Sequence, residues 1–120
     1  MADADVKALR AKYVTACAAQ PWGEAAAVAV LLGYGPVASR REFSRHVSMR
    51  GVGWDKMLEE AAWWPEARFL IATAAGLWTG QPYGADVCRL PSLGDAELEA
   101  WQAMVTARMT GKVPGDDIER

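Results

Sequence analysis

Trp64-Pro65-Glu66-Ala67-Arg68-Phe69-Leu70-Ile71-Ala72-Thr73-Ala74-Ala75-Gly76-Leu77-Trp78-Thr79-Gly80 is the stretch whose reading decides the fold. Pro65 disfavours helical angles at Trp64 but suits the first turn of a helix, where a missing N–H costs nothing. Leu70, Ala74, Leu77 and Trp78 then recur at three- and four-residue intervals, which places them on one helical face. Gly80 follows as a residue that readily takes the left-handed angles of a C-cap. The expectation is a helix over Pro65–Thr79.

The flanking segments read the same way. Upstream, Trp54–Trp63 has Trp54, Leu58 and Ala61 on one face, and Gly51-Val52-Gly53 before it reads as a hinge. Ser39-Arg40-Arg41-Glu42 has the S-x-x-E form of a capping box and starts a short basic helix ending near Met49, with Phe43 and Val47 turned inward. Trp22–Leu32 is apolar nearly all round and is expected to be a buried helix; its alanines favour helix over a strand at Ala27–Leu32. Gly33-Tyr34-Gly35-Pro36 closes it. Asp3–Ala19 carries Val6, Leu9, Tyr13 and Cys17 on one face and is broken by Pro21. Downstream, Gln81–Gly94 is a loop with room for one turn at Asp86–Leu90. Asp95 then caps a last helix through Thr110, with Leu98, Trp101, Val105 and Met109 on its inner face. The fold class that follows is all-α: a compact bundle of five or six short helices in a single domain, 1–111, with a tail at 112–120.

Composition narrows the function classes. The chain of 120 residues has six tryptophans but one histidine, His46, and two isolated cysteines, Cys17 and Cys88. A zinc site needs about four ligands at defined spacing, and nothing here resembles one. No metal and no cofactor is expected. Glu59 and Glu60 are adjacent, about 100° apart on a helix, so they cannot converge as an acid–base pair. Gly33-Tyr34-Gly35 and Gly51-Val52-Gly53 stop short of a dinucleotide-binding fingerprint and lack its strand–helix setting. The longest apolar run, Ala25–Leu32, is too short to cross a bilayer, and the acidic N-terminus is unlike a secretory signal. A cytoplasmic protein without membrane contact is expected.

Charge is uneven. Ser39–Arg50 carries Arg40, Arg41, Arg45 and Arg50 against Glu42 alone, on a chain whose net charge is −2. These arginines followed by Trp54–Trp63 suggest helix-turn-helix DNA binding. However, the second helix, which would enter the major groove, holds Asp55, Glu59 and Glu60 against Lys56. If Trp54–Trp63 is one helix, Trp63 lies about 180° from Trp54. Both then cannot face one core, unless a neighbouring helix covers the other side.

Trp64 to Gly80 also resembles a W-x-x-G-E-x-x-L-hydrophobic-x-x-A-x-x-L-W-x-G segment of small helical proteins from high-GC actinobacteria and their phages. Here Pro65 stands where those proteins have the glycine before glutamate. Leu90–Met109 is similar in its turn into a final helix. The resemblance covers the C-terminal half and implies a helical fold and a phage or mobile-element provenance. Those proteins carry no established activity, so it transfers no functional residue.

The sequence therefore points to a non-enzymatic protein–protein interaction module or regulator. Arg40, Arg41, Arg45, Arg50 and Trp63 are its candidate contact residues, and its expected partner is a protein with an acidic surface. Nucleic-acid binding through the basic segment 39–50 is the alternative. A phage structural or assembly component that self-associates as a homo-oligomer is another, and a small enzyme built around His46 is a further one.

Overall fold

The computed structural model describes residues 3–19, 23–48, 51–60 and 63–110; Trp22, Met49, Arg50, Ala61 and the expected tail at 112–120 lie outside them. Helix α1 spans Asp3–Ala19 and α2 spans Gly23–Leu32. Two single-turn helices follow, α3 at Gly35–Ala38 and α4 at Arg41–Ser44. Strand β1 (Val47–Ser48) pairs antiparallel with β2 (Gly51–Val52), Val47 opposite Val52. Then come α5 (Trp54–Glu59), α6 (Pro65–Thr79), a 3-10 helix at Val87–Ser92 and α7 (Asp95–Thr110). The architecture is mostly α, with one minimal hairpin.

Helix α2 is the axis of the core. It packs against α1, α6 and α7, most extensively against α7. Ala26, Ala27, Val28, Ala29, Leu31 and Leu32 are all buried, as an all-round apolar helix requires. Small alanines let neighbouring helices approach closely, and Leu31, Leu70, Ile71 and Met104 fill the space between them. Burying each such large side chain stabilises the fold by about 1.5–3 kcal/mol.

The two long C-terminal helices lie parallel. Trp64 meets Glu97, Phe69 stacks on Trp101, and Leu77 meets Arg108, so contacts advance together along both helices. Their connection, Gly80–Gly94, must return the length of α6, about 22 Å at 1.5 Å per residue. It does so as a strap across the face of α6, anchored by half-buried Tyr83. Gly80 starts the strap at φ 76°, where a side chain would be strained, and its N–H closes α6 on Gly76 at 2.8 Å.

The structure corrects four local expectations. No single basic helix spans Ser39–Met49: Ser39 ends α3, Arg40 precedes α4 without a side-chain cap, and Val47 enters the core from a strand. The helix at Trp54 stops at Glu59, where Glu60 turns extended at ψ 125°. Trp54 and Trp63 therefore both reach the core, and the opposition computed for one continuous helix does not arise. On α7 the buried face is Ala100, Met104 and Ala107; Leu98, Trp101 and Val105 flank it and Met109 is 80% exposed. Finally, Asp95 is not the cap of α7. The Gly94 carbonyl accepts the first helical bond from Leu98, and Glu97 closes back on the Gly94 N–H at 2.8 Å.

Candidate partner-binding site

The five residues expected to meet a partner are placed very differently. Arg40 is half-buried with its guanidinium over two indoles, 5.3 Å from the Trp64 ring centre and 5.9 Å from that of Trp63. Both lie within the range of a cation–π attraction. Arg41 is exposed. Arg45, half exposed, pairs with Glu60 at 3.5 Å. Arg50 lies outside the described residues. Trp63, at 5% exposure, is a core residue whose indole N–H donates to the Met57 carbonyl at 2.8 Å. It therefore offers a partner only the edge that lines the groove between α5, α6 and the strap, and Arg40 lies over both tryptophan rings.

Glu60 is the hub that joins this region. Its carboxylate faces Arg45 and the His46 imidazole, 3.3 Å away. Its backbone carbonyl accepts from an Arg68 amino group at 3.0 Å, while the other Arg68 amino group donates to the Leu58 carbonyl. Arg68 thus satisfies carbonyls left open where α5 ends. It escaped the sequence reading because nothing at 68 signals a partner ten residues upstream in the chain.

A second link ties the tryptophan pair to α7. The Trp64 indole donates to Glu97 at 3.0 Å, while the other Glu97 oxygen receives the Gly94 N–H. One carboxylate therefore both caps a helix and positions an indole. The Tyr34 hydroxyl is held above its ordinary pKa, first by burial and then by the negative charge of Glu97.

Between α5, α6 and the strap lies an open groove of about 400 Å³, floored by Leu58, Pro65, Phe69 and Tyr83. Arg68 and Arg89 are its charged lining residues. On the other side of the strap, a groove of about 440 Å³ is lined by Gly76, Leu77, Tyr83, Trp101 and Val105 and has no charged residue.

Among the described residues the enzyme-type side chains do not converge. His46 is engaged with Glu60 on the hairpin side, whereas Cys88 is exposed on the 3-10 helix. Its thiol is pushed up by a hydrogen bond with Asp86 and by that carboxylate's charge, which disfavours the thiolate a nucleophile needs. Cys17's side chain lies outside the described set. Among the described residues no group of three or more His, Cys, Asp or Glu could hold a metal ion, and no helix is long and apolar enough to cross a membrane. No family model, curated protein or solved structure matches the chain.

Proposed function

We propose that this protein is a non-enzymatic interaction module or regulator whose arginines bind another protein that carries an acidic surface. The observation that supports this reading is the gathering of guanidinium groups around the Leu58–Trp64 segment. Arg45 and Arg68 meet at Glu60, Arg40 stacks on Trp63 and Trp64, and exposed Arg41 lies one residue on from Arg40. Arginine is, with tryptophan and tyrosine, among the residues most enriched at binding hot spots. Arg41 and Arg45 are the expected contacts; Arg40 and Trp63 shape the site from beneath. A role as an accessory protein of a phage or mobile element rests on the resemblance of the C-terminal half.

Nucleic-acid binding by a helix-turn-helix has less support. Its first helix is reduced to four residues, a hairpin replaces the turn, and α5 turns Trp54 and Met57 into the core. The test is affinity capture from a lysate of the source organism, followed by titration of the purified candidate partner. The reading predicts a protein partner whose affinity falls with R41E and R45E. Capture of nucleic acid alone, or a partner indifferent to both reversals, overturns it.

A further inference from the structure

We infer that the groove between α5, α6 and the strap is the docking site for an acidic peptide segment of the partner, one that carries a single aliphatic anchor side chain. This rests on the protein-contact reading above and adds where and what the protein grips. The floor of Leu58, Pro65, Phe69 and Tyr83 is apolar, and a volume of about 400 Å³ lies within the range of ligand-sized pockets. Both charged lining residues, Arg68 and Arg89, are cationic, and among the described residues no carboxylate lines the groove.

The two arginines differ in how they present charge. The amino groups of Arg68 are fixed on the carbonyls of Leu58 and Glu60, neutral acceptors that orient the guanidinium without cancelling its charge. Arg89 is exposed in the middle of the 3-10 helix. Asp86, the N-cap of that helix, accepts from the Cys88 N–H and lies within electrostatic reach of Arg89, so it offsets only part of the groove's positive charge. Arg45 lies outside the groove lining and is paired with Glu60, so the rim charge is that of Arg68 and Arg89. An apolar floor under a cationic rim complements an acidic strand with one greasy residue.

Two of the three aromatic rings lining the groove are covered and the third, Tyr83, is half-buried, which favours a peptide over a nucleic acid. Trp63 and Phe69 are each 5% exposed, so neither presents the free ring face on which a base would stack. An aliphatic side chain needs only the groove between them.

The test uses the full chain and three fluorescein-labelled probes: the peptide EDDLED, its alanine variant EDDAED, and the oligonucleotide dT12. Anisotropy titration should show saturable binding of EDDLED, roughly tenfold weaker binding of EDDAED, and a loss of roughly tenfold with R89E. K7E, on exposed α1 surface, should leave the affinity unchanged. R89E is preferred to a change at Arg68 because Arg68 also caps α5. Amide shifts on titration should centre on Leu58, Phe69 and Tyr83. The inference is overturned by failure of EDDLED to saturate, by equal affinity for EDDAED, or by shifts centred on Leu77 and Trp101 in the uncharged groove. R89E-sensitive binding of dT12 tighter than that of EDDLED overturns it in favour of nucleic acid. A captured partner that depends on Arg41 and Arg45 but not on Arg89 overturns the groove alone and leaves protein contact standing.

Discussion

Replacing Trp63 and Trp54 in turn by phenylalanine should destabilise the protein to different extents, although both are equally buried. Each indole is 5% exposed and each change removes a similar amount of ring. The two N–H groups differ: that of Trp63 donates to Met57 at 2.8 Å, whereas that of Trp54 is buried with no partner among the described residues. W63F deletes a buried hydrogen bond worth about 1 kcal/mol net, and more if the carbonyl is left under-satisfied. W54F removes an orphaned donor whose desolvation costs about 1–3 kcal/mol, which offsets part of the lost packing. W63F should therefore cost about 2 kcal/mol more than W54F. At about 2.1 cal/mol/K per residue of unfolding entropy, that is a gap of roughly 8 °C in Tm. Urea denaturation monitored by far-UV circular dichroism reads the free energies directly, and unchanged m-values would show that the denatured state is not responsible. Equal losses within about 0.5 kcal/mol, or a larger loss for W54F, would refute the placement of the two indoles.

Three further outcomes follow from the same contacts. R40M, which keeps the aliphatic stem but removes the charge over Trp63 and Trp64, should cost about 1–2 kcal/mol in urea denaturation, whereas R41M at its exposed neighbour should stay within about 0.5 kcal/mol. M104A should cost about 2–5 kcal/mol in the same assay, because Met104 is fully buried against α2, while M109A, at 80% exposure, should be near neutral. The raised pKa of Tyr34 means that the unfolded chain loses this proton first, so its contribution to stability is complete below the unfolded value near 10 and is lost as pH rises through the folded one. Y34F should accordingly flatten the decline of Tm between pH 9 and pH 11, a range set around that value; a parallel decline in both proteins would contradict the role of burial and Glu97.

Helix limits were legible where local chemistry marks both ends. Pro65 and Gly80 bracket α6, and α7 runs to Thr110 as its periodicity implies. The all-round apolar character of α2 likewise announced its central place. The segment 39–60 misled for a physical reason. Ser39 and Glu42 have capping-box spacing, but strands of two residues are too short to show a period of two. The Tyr13 hydroxyl, donating to the Ser48 carbonyl from α1, also supports that hairpin from 35 positions away. On α7, a stripe of large residues pointed to Leu98, Trp101, Val105 and Met109. Close approach to α2 instead selects the smaller Ala100 and Ala107 around Met104.

The candidate site was less legible. Its arginines were visible as a charge cluster, but their roles depend on partners far along the chain: Arg40 on Trp63 and Trp64, Arg45 on Glu60, Arg68 on Leu58 and Glu60. Arg89 reaches the groove only because the strap must return along α6 between two parallel helices. A connection of that length is equally compatible with antiparallel packing, so the sequence carried no signal for it.

The most direct measurement is size-exclusion chromatography with light scattering, run with and without dT12 and duplex DNA at low and physiological salt. Recognition of an acidic protein surface predicts an elution volume and mass that nucleic acid does not change at physiological salt. A salt-sensitive shift into a nucleic-acid complex would contradict it and assign the arginines to phosphates instead.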